Sequence, residues 1–426
     1  MKVYNVILTA VSFLLAFSSC GKTDNPSTDN GKPGKPDIPS VTPGKGNIVI
    51  NWENDPQKVC PGAYARVHKL NDGRYMLVYS GDTDGYLRFS TDKCRTWQQP
   101  YKVFIASTFS SEAGVTVANA EFAQLRADNP HHPNRIIYAA NLRPKNKKTT
   151  KTPYSIAIIT SDDNGVKWSK IKEIYASRTW STDVEKGCYE PFVLELPDGT
   201  VQVYFADETP YYKDRLPYQN ISVIESVDGG DTWTKTPRIV SYNSKYRDGM
   251  PVAMVYGDWI YVAIEANGQN IKFHPQIVCT KIADNWKTPV YGASANRFDP
   301  FRTSMESAYI YAGAPYLIRT DNYFVLCYQS SEGALEPTTK NSVMEMAVCR
   351  IDEMKGHEFL TMRERIRPFD IDQTRDNVNH DEVQCVAYSN DNGLWNSLCD
   401  LGNDTILAVT QLSGNIYIRK GKIVTE

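Results

Sequence analysis

The chain has 426 residues, a formal net charge of −2 and 41% hydrophobic residues, so it can bury a large core and has no cationic excess for nucleic acid. Its nine cysteines include no Cys-x-x-Cys or Cys/His pattern with zinc spacing, which argues against a structural zinc site, and no cofactor is expected. Met1-Lys2 opens a short positive region, and an apolar run follows from Val6 to Phe17. That run is too short for a stable membrane span and reads as an export signal.

Ser18-Ser19-Cys20-Gly21 ends the signal. It resembles the lipobox of bacterial lipoproteins, which implies acylation of Cys20 as the first mature residue. Residues 1–20 are therefore expected to be a lipoprotein signal peptide. Residues 21–46, rich in Gly, Lys, Pro, Asp, Ser and Thr, cannot bury a core and read as a solvated tether. The folded domain is expected over 47–426, monomeric, exported, and held on the periplasmic or outer face of a bacterial membrane. Several of its cysteines lie inside apolar strand patterns, as in Val325-Leu326-Cys327-Tyr328, and are expected to be buried thiols.

From residue 47 onward the pattern is all-β: short Val-, Ile-, Tyr- and Phe-rich runs broken by Asp-Gly and Asn-Gly turns. Ser161-Asp162-Asp163-Asn164-Gly165-Val166-Lys167-Trp168 fits S-x-D-x-G-x-x-W, and Ser226 to Trp233 fits it again. Ser90 to Trp97 fits except for Cys94 in place of glycine. The three starts are 71 and 65 residues apart. In this motif the aspartate caps backbone amides of a hairpin turn and the glycine takes a positive φ. The motif resembles the Asp-box of sialidase-like propellers.

A strand–turn–strand phrase recurs six times, at Val67–Tyr79, Phe122–Asn141, Phe192–Phe205, Val252–Ile264, Tyr316–Tyr328 and Val383–Gln411. Six copies over 47–426 predict a six-bladed β-propeller of sialidase-like type. Asn47-Ile48-Val49-Ile50 is left over and is expected to pair in the last blade and close the ring.

In such a ring, residues just before the first strand and just after the second strand of each blade converge on one funnel. Blade one brings Tyr64 and Arg66, then Ser80 and Asp82; blade two brings Asn119 and Glu121, then Asn141 and Arg143. Blade three brings Tyr189 and Glu190, then Asp207 and Glu208; blade four brings Arg247 and Asp248, then Glu265 and Asn267. Blade five brings Tyr309 and Tyr311, then Gln329; blade six brings Asp381 and Glu382, then Gln411. Amides, acids and aromatic faces together suit a carbohydrate. Glu190, Glu208, Asp248 and Glu265 are the acids from which a glycosidase pair would be drawn. His131-His132 sits between prolines and reads as a surface turn; Lys147-Lys148 reads as a solvated face.

Tyr189-Glu190-Pro191-Phe192, Gln219-Asn220-Ile221, Arg247-Asp248-Gly249-Met250-Pro251 and Ala314-Pro315-Tyr316-Leu317 resemble glycoside hydrolase family 93. The resemblance implies an exo-acting, retaining enzyme of α-L-arabinan with Glu190 and Glu265 as its catalytic glutamates. Nucleophile and acid stay open between them, with Glu265 taken first as the nucleophile. Arg66, Asn119, Asn141, Tyr189, Glu208, Arg247, Asp248, Tyr311 and Gln329 are the expected substrate-binding residues. Cys188-Tyr189 stands where a tryptophan is expected, and Val252 where a glycine is. The rival readings are an exo-α-sialidase, which needs three arginines and a tyrosine nucleophile, and a non-catalytic glycan-binding propeller.

Overall fold

A computed structural model describes residues 47–109, 114–146, 152–178, 186–268, 271–301, 311–331, 342–354, 362–369 and 393–426. Cys20, Lys147, Lys148, Arg302, Tyr309, His380, Asp381, Glu382 and Cys385 lie outside these residues. The chain begins with β1 (Ile48–Pro61), then builds six antiparallel sheets in sequence order. Blade one is β2 (Ala63–Lys69), β3 (Tyr75–Ser80), β4 (Gly85–Ser90) and β5 (Tyr101–Phe104). Blade two is β6 (Val115–Gln124), β7 (Ile136–Pro144), β8 (Ser155–Ser161) and β9 (Lys172–Ala176). Blade three is β10 (Cys188–Glu195), β11 (Val201–Asp207), β12 (Asn220–Ser226) and β13 (Arg238–Tyr242). Blade four is β14 (Asp248–Tyr256), β15 (Trp259–Gly268), β16 (Ile271–Lys281) and β18 (Arg297–Phe298); its β17 (Val290–Tyr291) pairs in parallel with β13 of blade three.

Blade five is β19 (Ala312–Arg319), β20 (Tyr323–Ser330), β21 (Val343–Arg350) and β22 (Arg363–Ile366). Blade six is β23 (Leu394–Asp400), β24 (Thr405–Leu412) and β25 (Asn415–Thr425), completed by β1. The expected ring closure is present, with Ile48 opposite Thr425 and Ile50 opposite Ile423. The innermost strands touch in a closed cycle: β2 to β6, β10, β14, β19, β23 and back to β2. The six-bladed β-propeller is therefore the observed fold.

Each blade packs between two neighbours, so its inner strands are covered on both faces. That is why Val201–Asp207 and Tyr323–Ser330 are buried along their whole length and read as near-continuous apolar runs. The outermost strands are half-covered, as Tyr101–Phe104 shows. The seven described cysteines are all buried thiols.

The three Asp-boxes sit between the third and fourth strands of blades one to three. In blade three, the Thr232 amide (2.8 Å) donates to Asp228, and the Gly230 amide (2.7 Å) donates to Ser226. The Trp233 indole N–H returns to the Gly230 carbonyl at 3.0 Å. Cys94 holds the glycine position of the first box at φ 63°, as Gly230 does at φ 100°. The His131-His132 turn is capped by the Asn129 side chain, and His132 pairs with Asp231 at 2.8 Å.

Blade six corrects one sequence boundary. Its first strand is Leu394–Asp400, well inside the Val383–Gln411 phrase, and Trp395 is its leading residue.

Candidate active site

Every innermost strand carries a bulge at the same height. The register breaks at Ala63/Arg66, Ala118/Glu121, Tyr189/Phe192, Gly249/Val252, Gly313/Tyr316 and Leu394/Ser397. The bulged residue is left-handed and non-glycine in all six: Tyr64, Asn119, Glu190, Met250, Ala314 and Trp395, with φ between 48° and 58°. Such a backbone is strained for a side chain, and a bulge re-aims that side chain out of the ladder. It also frees amides that need acceptors.

The neighbouring blade supplies them. The Met250 amide donates to Glu190 Oε2 at 3.1 Å, and the Ala314 amide to Glu265 Oε2 at 2.9 Å. The Trp395 amide donates to Gln329 Oε1 at 2.6 Å. Glu265, Gln329, Gln411, Asn141 and Ser80 occupy one repeated position, each opposite the residue before the bulge. Glu190 is thus the bulge residue of blade three, and Glu265 is the acidic member of the second-strand ring in blade four. Gly313 makes room for it: a Cβ there would lie 2.7 Å from Glu265 Oε2.

Both glutamates are half-buried. Burial, and then the Glu190 carboxylate, push the Glu265 acid up to about 7, against the Ala314 amide and Arg247. Burial also raises Glu190, but Arg143, the Met250 amide, Arg247 and Arg66 all pull it back. Burial raises both acids, but Glu190 faces three arginines that oppose the rise and Glu265 only Arg247, so Glu265 is the better placed of the two to hold a proton.

The expected binding residues divide into two groups. Arg247, Glu208 and Tyr189 do form one rim cluster: Arg247 Nη1 lies 3.3 Å from Glu208 Oε1, and the Tyr189 hydroxyl donates to Glu208 Oε2 at 3.2 Å. Arg247 Nη2 also donates to Gln219 Oε1 at 2.5 Å. Asn119 takes a hydrogen bond from Arg143 Nη2 at 2.5 Å, beside Glu190. Tyr311 lies against Glu265; burial, and then the Glu265 charge, raise its phenol, which receives Gln329 Nε2 at 3.0 Å.

The second group is spent inside the protein. Asp248 is fully buried, gripped by Arg297 and by the Ser241 hydroxyl at 2.8 Å. Asn141 is fully buried and donates to the carbonyls of Ser155 (3.1 Å) and Cys188 (2.6 Å). Arg66 is buried 3.5 Å from Glu121 and stacked 3.8 Å from the Tyr64 ring centre. Asp207, named only as a funnel position, is likewise closed in by Tyr175, Thr209 and Ser222. These side chains hold blades together instead of facing a ligand.

Sequence reasoning also placed the leading residues of blades four to six in the wrong register. Counterparts of Glu190 there are Met250, Ala314 and Trp395, where Asp248 and Tyr311 were the residues expected for blades four and five. Aligning Glu190-Pro191, Met250-Pro251 and Ala314-Pro315 would have shown this for two of the three. Among the described residues no group of three or more His, Cys, Asp or Glu could hold a metal ion.

No family profile matches the chain, and no curated protein is similar to it in sequence. Solved structures share its fold. A Dyadobacter fermentans protein of unknown function is 15% identical, with a TM-score of 0.58 over 91% of this chain and 100% of that one. The family 93 α-L-arabinofuranosidase of Fusarium graminearum, solved with arabinobiose, is 14% identical, with a TM-score of 0.59 over 87% of this chain and 97% of that one. Trypanosoma rangeli sialidase is 11% identical, with a TM-score of 0.52 over 85% of this chain and 54% of that one. The propeller is thus of a type on which glycoside hydrolases are built.

Proposed function

We propose that the protein is a retaining, exo-acting glycoside hydrolase of α-L-arabinan. The carrying observation is the pair of half-buried glutamates from adjacent blades, one pushed up to about 7 and the other ringed by arginines. In this reading Glu265 protonates the glycosidic oxygen while Glu190 attacks the anomeric carbon. A covalent glycosyl–Glu190 ester forms and the aglycone leaves as an alcohol. Glu265, now ionised, takes a proton from water, whose oxygen displaces Glu190 and restores the starting configuration. This reverses the first assignment of Glu265 as nucleophile, because a group that holds its proton near neutral pH is the donor.

The likeness of the quoted phrases to family 93 supports arabinan as substrate, as does the fold shared with an arabinofuranosidase. The sialidase reading loses its first arginine, since Arg66 is committed to Glu121 and Tyr64. A lipid anchor at Cys20 would hold such an enzyme at the bacterial surface or in the periplasm, where polymer fragments are trimmed.

The test is turnover of debranched arabinan and an aryl α-L-arabinofuranoside, with sialosides alongside, and NMR of the first-formed anomer. Retention is expected, with Glu190→Ala inactive and partly rescued by azide as a glycosyl azide. Binding without turnover by the wild-type protein would sink the enzymatic reading in favour of a glycan-binding propeller.

A further inference from the structure

We propose that Trp395 is the platform on which the sugar unit facing Glu190 and Glu265 stacks, with Arg66 and Tyr64 as its support; this rests on the glycosidase reading above. The six bulged residues form the inner end of the funnel, and their chemistry is two-sided. Asn119 and Glu190 are polar. Met250, Ala314 and Tyr64 form one apolar cluster, and Trp395 packs on it. The amides of Met250 and Ala314 are the ones that hold Glu190 and Glu265. The indole therefore packs against the cluster whose members position both acids.

Trp395 is held in an unusual way. Its φ of 53° is an outlier for so bulky a residue. Both polar groups of its backbone are pinned across blades, the amide by Gln329 Oε1 at 2.6 Å and the carbonyl by Arg66 Nη1 at 3.0 Å. It packs against the buried cluster of Tyr64, Met250 and Ala314, yet the indole itself stays half-exposed. Ala314, at the same position one blade earlier, shows that the backbone can take this shape without a large side chain.

Behind the indole runs a column of aromatic rings and one guanidinium, with the Tyr64 ring tilted 40° to the indole. The Tyr64 ring centre is 5.9 Å from that of Trp395, the Arg66 guanidinium is 3.8 Å from the Tyr64 ring, and Tyr316 lies 5.0 Å beyond. Tyr316 and Arg66 are both anchored on Glu121. Cation–π stacking of this kind fixes Tyr64 and so the plane on which the indole leans. Arg66 is thus a positioning residue and does not grip a substrate carboxylate. An apolar ring face beside two acids matches a neutral glycosyl unit, which offers a C–H face to one side and hydroxyls to the other.

Two variants test this. Trp395→Gly removes the indole and suits the left-handed backbone, so the fold is kept; Trp395→Phe keeps a ring. On arabino-oligosaccharides, Trp395→Gly is expected to raise KM at least tenfold with a smaller change in kcat, and Trp395→Phe to stay within about threefold of wild type. In the inactive Glu265→Gln protein, arabinotriose is expected to shift tryptophan emission. That shift should vanish in Glu265→Gln/Trp395→Phe while calorimetry still records binding. An unchanged KM in Trp395→Gly, or an emission shift that survives the double substitution, overturns the platform while leaving the glycosidase intact. A wild-type protein that neither binds nor cleaves arabino-oligosaccharides or sialosides overturns both.

Discussion

Glu265→Gln separates the electrostatic account of this site from a purely structural one. Burial and Glu190 move the Glu265 acid from 4.5 to about 7. The folded protein therefore binds this proton more tightly than the unfolded chain. Stability from the protonated form is complete below 4.5 and is lost as the pH rises through 7. At about 1.4 kcal/mol per tenfold change in proton affinity, the full cost of ionising Glu265 in place is roughly 3 kcal/mol. Partial exposure screens this to about 1–2 kcal/mol.

Glutamine keeps an oxygen for the Ala314 amide and carries no charge. Melting curves should therefore place Glu265→Gln about 1–3 °C above wild type at pH 8 and nearly level with it at pH 4. Activity should move the opposite way: loss of the proton donor costs about 10²–10⁴ in kcat on an unactivated glycoside. It should also remove the alkaline limb near pH 7 on an aryl glycoside. A melting difference of equal size at both pH values, or a variant less stable at pH 8, would refute the argument.

Three further outcomes are expected. Gly313→Ala places a Cβ 2.7 Å from Glu265 Oε2 and 2.6 Å from the Tyr311 hydroxyl, and should cut kcat at least tenfold while costing about 1–3 kcal/mol in a denaturation titration. Asp92→Ala removes the carboxylate that receives Ser90, Arg95 and Thr96 in the first Asp-box, for a loss of about 1–2 kcal/mol with unchanged turnover. Against the cost of burial, those hydrogen bonds hold the Asp92 acid at about 2, so the penalty should be full above pH 4 and fade as the pH falls toward 2. Cys20→Ala should release the protein from membranes into the soluble fraction, and intact-mass measurement of the wild type should show acyl chains on Cys20; an unmodified, freely soluble wild type would dismiss the anchor.

Much of the fold could be read from residues alone because its signals are local. An Asp-box closes its hydrogen bonds within eight residues, as from Ser226 to Trp233. Inner strands are apolar on both faces because both are covered, and their spacing gives the blade count. Glu190 and Glu265 were legible as acids at strand ends of neighbouring blades. The bulges were not. A left-handed Tyr64, Met250 or Trp395 has no local signature, since no glycine marks it and the conformation is imposed by contacts between blades.

Asp248 shows the converse error. It stands in a polar phrase at a strand end, but its partner Arg297 comes 49 residues later and draws it inward. Local patterns along the chain suffice for a ring of six sheets with carboxylates gathered where two of them meet. Which acid is pushed up, which residues face the funnel and which are locked between blades follow from the packing of the blades. Those outcomes depend on burial and on distances across blade boundaries, and residues that meet there are far apart along the chain.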